Sequence, residues 1–150
     1  MSNTKKILFG VLGLIVVGVV WYYYRWRQED FMPPQEDMQT INFTDTDKEV
    51  FLRAKVWGVA GNHEEIVLSE SNKTISDKAV DYIFYTSDVY YKTENNSTIT
   101  LYAPESSISE PTSKFSNITV NIKGLKSANE IKDYEVNFQK YGLKKISVYK

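Results

Sequence analysis

The side chains best suited to chemistry in this chain lie around its only histidine, His63. Glu64 and Glu65 follow directly, so an imidazole and two carboxylates lie within three residues. These groups could ligate a metal ion, but in an extended strand Glu64 and Glu65 would point to opposite faces. Catalytic zinc normally takes three protein ligands in matched geometry, so we interpret the trio as a solvated acidic turn.

The tetrapeptide Gly61-Asn62-His63-Glu64 resembles the Gly-Asn-His-Asp/Glu motif of calcineurin-like metallophosphoesterases. This resemblance covers four residues and implies a loop in which Asn62 and His63 help to bind a two-metal centre and a phosphate. The family also uses an Asp-x-His element, a Gly-Asp element and further histidines, which a chain with one histidine cannot supply. Two-metal catalysis needs several ligands to hold both ions. Asn62, His63 and Glu64 are therefore a loop candidate, and a membrane-tethered enzyme is the alternative function.

Other catalytic patterns are missing from the sequence. It contains no cysteine, which excludes disulfides, thiolate metal sites and cysteine nucleophiles. Carboxylates such as Asp77, Asp81 and Asp88 could act in pairs, as in glycosidases, but their contexts are those of solvated turn acids. No Gly-x-Ser-x-Gly elbow accompanies His63. We therefore predict a protein that is not an enzyme and that binds no cofactor or metal.

A group of tyrosines suggests a binding surface instead. Three strand candidates, residues 82–86, 89–93 and 98–102, carry Tyr82, Tyr85, Tyr90, Tyr91 and Tyr102. Side chains alternate between the two faces of a strand, so we expect at least one row of these rings to be exposed. Exposed aromatic rows bind partners or sugars because rigid rings bury a large area at low entropic cost. The alternative is that tyrosine is a good strand former with its hydroxyl at the rim of the sheet.

The elements that must position these side chains are mainly strands. Residues 49–57 alternate, with small and branched apolar side chains at every second position, which predicts a half-buried strand. Similar patterns occur at residues 65–69, 115–123 and 145–149. Two glycines and an asparagine in residues 58–62 predict a hairpin loop between the first two strands.

One helix is predicted near the end of the chain, over residues 128–141. Ser127 and Glu130 form a capping box, apolar residues recur at spacings of three and four, and Gly142 fits a left-handed cap. Residues 41–150 are thus predicted to form a mainly β domain, a small antiparallel β-sandwich with one C-terminal α-helix. An α+β layout of one sheet with a helix is the alternative.

An uncharged apolar run lies near the start of the sequence. Residues 7–24 carry no charge, and with Arg25 and Trp26 the stretch is long enough for a helix to cross the roughly 30 Å of a bilayer core. Aromatic residues typical of a membrane-interface belt cluster at its second end: Trp21, Tyr22, Tyr23, Tyr24 and Trp26. These bulky rings occupy the place where a signal peptide needs small residues for cleavage. Residues 7–26 are therefore predicted to be an uncleaved, single transmembrane anchor in the lipid bilayer.

The anchor prediction determines the remaining domain plan. Residues 1–6 become a short cytoplasmic tail, and residues 27–40 an acidic linker containing Pro33 and Pro34. A short tail before a long C-terminal domain resembles a signal anchor, so we favour an extracytoplasmic domain in the periplasm or at the cell surface. A cytoplasmic domain is the alternative, because lysines and arginines are nearly balanced at the two ends of the span.

Composition limits the class of protein and its partners. The net charge of −1 excludes a strongly basic nucleic-acid-binding protein. Richness in Lys, Asn and Ile without Cys is typical of an AT-rich bacterial genome. We therefore predict a membrane-anchored bacterial envelope protein with a non-enzymatic binding or accessory domain. Its expected partner is a protein of the envelope, and the chain is expected to be a small subunit or partner of a membrane complex.

Overall fold

The computed structural model describes residues 13–23, 31–43, 48–59, 61–94 and 97–149. Residues 13–23 are helical and are named α1. Within this described part of the chain, no helix is long and apolar enough to cross a membrane. The belt residues Trp21, Tyr22 and Tyr23 lie in α1, whereas Tyr24, Trp26 and residues 7–12 of the predicted anchor lie outside the described residues.

The nine strands of the described chain form two sheets. Their strands are β1 Phe31–Phe43, β2 Lys48–Val59, β3 His63–Ser69, β4 Tyr82–Phe84, β5 Asp88–Glu94, β6 Thr98–Pro104, β7 Ile108–Ser109, β8 Thr119–Leu125 and β9 Lys144–Ser147. The five-stranded sheet has the order β1-β2-β3-β4-β7, and the four-stranded sheet the order β8-β6-β5-β9. Neighbouring strands are antiparallel except β6 and β8, which are parallel. The predicted mainly β, sandwich-like fold is confirmed, with this parallel pair as a departure from a purely antiparallel arrangement.

Alternating apolar residues hold the two sheets together. The predicted inward row of β2 lies in the core, with Val50 and Leu52 completely buried and Ala54 and Val56 each 1% exposed. Ile66 of β3, and Leu101 of β6 in the other sheet, belong to the same apolar cluster. Burying one branched aliphatic side chain stabilises a fold by roughly 1.5–3 kcal/mol, so this period-two pattern accounts for the sheet packing.

The helix α2, Ala128–Asn137, packs on the outer face of the four-stranded sheet. Its residues Ile131 and Tyr134 and the following Phe138 pack against Tyr90 and Tyr102 of that sheet. The predicted N-cap is present, because Ser127 Oγ accepts the amide of Glu130 at 3.2 Å. The carboxylate of Glu130 reaches one residue further back than a capping box predicts and accepts the amide of Lys126 at 2.8 Å.

The C-terminal end of this helix is closed at Gly142, as predicted. Regular helix ends at Asn137, and tighter turns continue to Gly142, whose φ of +68° is left-handed. The amide of Leu143 donates to the carbonyl of Phe138 and the amide of Gly142 to the carbonyl of Gln139, both at 3.0 Å. These two bonds satisfy carbonyls that a helix end would otherwise leave without a partner.

Strand β1 runs through much of the segment that was predicted to be a linker, residues 27–40. It pairs with β2 continuously from Gln35 opposite Val56 to Phe43 opposite Lys48. The register shifts between Met32 and Gln35, where two prolines interrupt the ladder. Proline lacks an amide donor but is tolerated in an edge strand, and β1 is the edge of its sheet. Residues 31–40 are therefore part of the sandwich rather than a spacer.

The outer face of the five-stranded sheet is covered by the loop of residues 70–81. Arg53, Val67 and Ile83 are cross-strand neighbours on this face and are only 3%, 2% and 1% exposed. Ser76 of the loop donates a hydrogen bond of 3.4 Å to the carboxylate of Glu65 on the same sheet. Both faces are thus buried at Arg53, Val67 and Ile83, whereas Lys55 and Trp57 nearer the hairpin turn are half-buried.

Candidate functional site

The Gly-Asn-His-Glu segment forms the turn of the β2–β3 hairpin and the start of β3. Gly58 and Gly61 have positive φ angles of 92° and 67°, and the amide of Gly61 donates to the carbonyl of Gly58 at 3.4 Å. Asn62 and His63 are exposed at this turn. The predicted hairpin loop is confirmed, and its two glycines supply backbone angles that other residues rarely adopt.

His63 lies in an aromatic stack. It is the cross-strand partner of Trp57, and the two rings are 5.6 Å apart between centroids and inclined by 24°. The ammonium of Lys55 lies 5.4 Å from the centroid of the Trp57 ring. Glu64 pairs with Val56 and Glu65 with Lys55, so the two carboxylates point to opposite faces as predicted. Among the described residues, no three His, Cys, Asp or Glu side chains form a group that could hold a metal ion.

The predicted tyrosine surface is not present, because four of its five members are buried. Tyr82 and Tyr90 are each 3% exposed, Tyr91 is 5% exposed and Tyr102 is 6% exposed, whereas Tyr85 is 47% exposed. The alternation itself is correct: Tyr91 faces the other sheet and Tyr90 faces α2. Because both faces of β5 are covered, neither row of rings reaches solvent.

The buried rings serve packing. The hydroxyl of Tyr91 donates to Oε1 of Gln39 at 2.9 Å, and Tyr90 packs on Phe138 with ring centroids 5.5 Å apart. Burial, together with the nearby carboxylates of Asp88 and Glu135, raises the pKa of Tyr90 to about 12. A phenol with so high a pKa stays neutral at physiological pH and is poorly suited to proton transfer.

Two exposed tyrosines, Tyr85 and Tyr149, lie at one end of the sandwich, whereas the exposed Tyr141 follows α2. Tyr149 follows β9, is 55% exposed, and its hydroxyl donates to the carbonyl of Gly61 in the hairpin turn at 3.5 Å. Tyr85 follows β4 on the same side, and the ammonium of Lys78 lies 5.7 Å from its ring centroid. We call this surface the hairpin end and define it by six side chains: Lys55, Trp57, His63, Lys78, Tyr85 and Tyr149.

A cleft of mixed polarity opens on the side of the sandwich where β1 and β9 are both edge strands. It has a volume of about 280 Å³ and is lined by Gln35, Glu36, Asp37, Ala54, Ser147 and Val148. Asp37 lies opposite Ala54 on the core side of β1, whereas Glu36 lies opposite Lys55 and its side chain points to the outer face of the sheet. An edge strand beside a cleft can accept a further strand, with backbone hydrogen bonds for affinity and the cleft for side-chain selectivity.

Two charged side chains are buried against expectation, Asp81 and Arg53. Asp81, interpreted from its sequence context as a solvated turn acid, is 4% exposed, and its carboxylate accepts the amide of Asp77 at 2.8 Å. Arg53 is 3% exposed, and its Nε and Nη2 atoms are buried without a hydrogen-bond partner. The alternation in β2 places it on the face opposite the core, with Phe51, Lys55 and Trp57, and nothing in the sequence pattern indicated that residues 70–81 cover that face. A buried guanidinium can bind a carboxylate with two parallel bonds, but here it is closed off from solvent.

The chain matches no protein-family model, no curated protein and no solved structure. A functional assignment must therefore be argued from three features of the described chain: α1, the hairpin end and the cleft beside β1.

Proposed function

We propose that this chain is a membrane-anchored envelope protein whose β-sandwich is a non-enzymatic binding module. The proposal is carried by the side chains of α1. Nine large apolar residues in positions 14–23 are each 55–75% exposed, and they surround the helix. A helix that is apolar on all faces is stable only when it is covered, and an uncharged sequence extends from it to residue 7 on one side and residue 24 on the other. A lipid bilayer would cover it, with Trp21 to Trp26 at the headgroups.

The open side of the sandwich supports the binding role. β1 is an edge strand of 13 residues. It begins eight residues after Tyr23, the last described residue of α1, so it would lie near the membrane surface. An extended segment of an envelope protein could pair with β1 and place a side chain in the cleft. The chain would then act as a small subunit or partner of a membrane complex.

Membrane fractionation tests the anchor. The full chain with a C-terminal tag should stay in the membrane pellet after alkaline extraction. Val17→Asp should release it, because a central Asp costs about 2.5–3.5 kcal/mol on insertion. Val136→Asp on α2 is the matched control, since Val136 is 69% exposed and Val17 is 66% exposed. A chain that is extracted without any substitution, or Val17→Asp that pellets like the control, would contradict the anchor.

Site-specific cross-linking tests the binding role. A photoreactive amino acid at Thr40, an exposed position of β1, should give a stoichiometric adduct with one membrane protein, which mass spectrometry identifies. The same group at Val136 should give no such adduct. A chain that purifies alone in mild detergent and forms no adduct at Thr40 would count against an accessory subunit. Protease access to the tagged domain in intact cells distinguishes the proposed extracytoplasmic location from the cytoplasmic alternative.

A further inference from the structure

The strand register places the hairpin turn next to the start of β1. Phe31 pairs with Val59, and Met32 pairs with Gly58. Eight residue steps separate Tyr23 of α1 from Phe31, and eight extended steps span at most about 28 Å. Paired residues of neighbouring strands have Cα atoms about 5 Å apart. The hairpin turn therefore lies within about 33 Å of the end of α1.

The other end of the sandwich lies farther from α1 along the chain. β1 and β2 run side by side from this turn to the pair Phe43 and Lys48. β2 has 12 residues, and each residue step of a strand rises about 3.3 Å, so the two ends of β2 are about 36 Å apart. The hairpin end is thus the end nearest to the membrane if α1 is inserted, because the chain enters the sandwich there.

The hairpin end carries the side chains that favour a membrane surface. Trp57, Tyr85 and Tyr149 each combine an apolar ring with one polar atom, and such rings accumulate at the level of the lipid headgroups. Two of them have a lysine ammonium within 6 Å of the ring: Lys55 at Trp57 and Lys78 at Tyr85. A lysine can lay its apolar stem along a ring and keep its ammonium among the phosphates.

The charges at this end are mixed. Glu36 is the cross-strand partner of Lys55, and Glu64 follows His63 in β3. Glu65 is a second cross-strand partner of Lys55, so three glutamates face two lysines at this end. Anionic lipid is therefore not attracted, and the binding comes mainly from the aromatic rings. This composition fits the zwitterionic headgroups of a bilayer better than a strongly anionic surface.

We propose that the hairpin end is a second membrane contact, which lies against the zwitterionic lipid headgroups of the bilayer that holds α1. This inference rests on the proposed anchor. The contact orients the sandwich, because α1 and the hairpin end fix two points on the same surface. It also holds the edge of β1 and the cleft at a constant height above the bilayer, where a membrane partner can reach them.

Fluorescence quenching by brominated lipid tests the contact in the full chain. The chain has three tryptophans, so the double variant Trp21→Phe and Trp26→Phe leaves Trp57 as the only reporter. It is reconstituted in phosphatidylcholine vesicles with and without bromine on the upper acyl carbons. We expect a loss of Trp57 emission in the brominated vesicles. The control replaces Trp57 by Phe and Val136 by Trp on α2, and its emission should not change.

The outcomes separate the contact from the anchor. If the chain floats with the vesicles but Trp57 is quenched no more than the Val136→Trp control, the contact is refuted and the anchor stands. If the chain does not float with the vesicles, both the contact and the anchor are refuted. Adding Tyr85→Ser and Tyr149→Ser to the Trp57 reporter should reduce the quenching while flotation is kept. Unchanged quenching in that variant would also overturn the role of the aromatic group.

Discussion

Replacing Arg53 with methionine is expected to stabilise the sandwich. Arg53 is 3% exposed, and its Nε and Nη2 have no hydrogen-bond partner. A buried donor without a partner costs about 1–3 kcal/mol, and a buried charge without a counter-ion costs more. Methionine has a similar length and no polar hydrogen, and its neighbours on the sheet face include the apolar Phe51 and Val67. We therefore expect the free energy of unfolding to rise by about 1–3 kcal/mol.

Urea titration of a chain that begins at residue 31 measures this effect. Trp57 is the only tryptophan in that part of the sequence and serves as the reporter. At a slope of about 2 kcal/mol per molar urea, a gain of about 2 kcal/mol raises the midpoint by about 1 M. Lys55→Met is the matched control, since Lys55 is on the same face two residues further on and is only half-buried. Lys55→Met should lower the free energy of unfolding by less than about 1 kcal/mol, which is the value of an exposed cation–π contact.

A lower urea midpoint for Arg53→Met would refute the reasoning. It would mean that the guanidinium has a strong counter-group, such as the carboxylate of Glu65 after a change of rotamer. The double variant Arg53→Met with Glu65→Gln would then restore part of the lost stability, because it removes both charges together.

Three further predictions concern the turn, the helix cap and the core. Gly58→Ala should lower the free energy of unfolding by about 1–3 kcal/mol in the same titration. The reason is that φ at Gly58 is +92° and a Cβ there would lie 2.8 Å from the His63 ring. A variant as stable as the wild type would contradict this prediction. Ser127→Ala should cost about 1 kcal/mol by removing the acceptor for the Glu130 amide, whereas Ser127→Asp should keep the stability. The pKa of Tyr90 is raised to about 12, so the free energy of unfolding should be constant below pH 10 and should fall as the pH rises from 10 through 12. It falls because the Tyr90 phenol loses its proton at a lower pH in the unfolded chain than in the folded one. Alkaline unfolding should therefore begin at higher pH in Tyr90→Phe, and an identical onset would argue against this ionisation.

The elements with a clear period were predictable from the sequence, and the reasons are local. In β2 every second residue is apolar, so the core face could be assigned before the fold was known. The cap at Ser127 and the left-handed Gly142 are also local features, because each needs only a few neighbouring residues.

The wrong predictions share another cause: the sequence does not show which part of the chain covers a given face of a sheet. Residues 27–40 were predicted to be a linker because they form a polar, acidic run with Pro33 and Pro34, yet residues 31–40 lie in β1, where Gln35 and Asp37 line an open cleft. At least one row of tyrosines was expected to be exposed, but α2 covers Tyr90 and Tyr102. The alternation of β2 assigns Arg53 to the face opposite the core and does not show that this face is covered. Periodicity assigns residues to faces, but the layer above a face comes from distant parts of the chain.

The position of β9 has a consequence for how the protein is made. Among the described strands β9 pairs with β5 alone, and Ile146 lies in the core between the sheets. During synthesis β5 leaves the ribosome more than 50 residues before β9, and until then one edge of its sheet and part of the core stay open. The sandwich can therefore close only after β9 has been made.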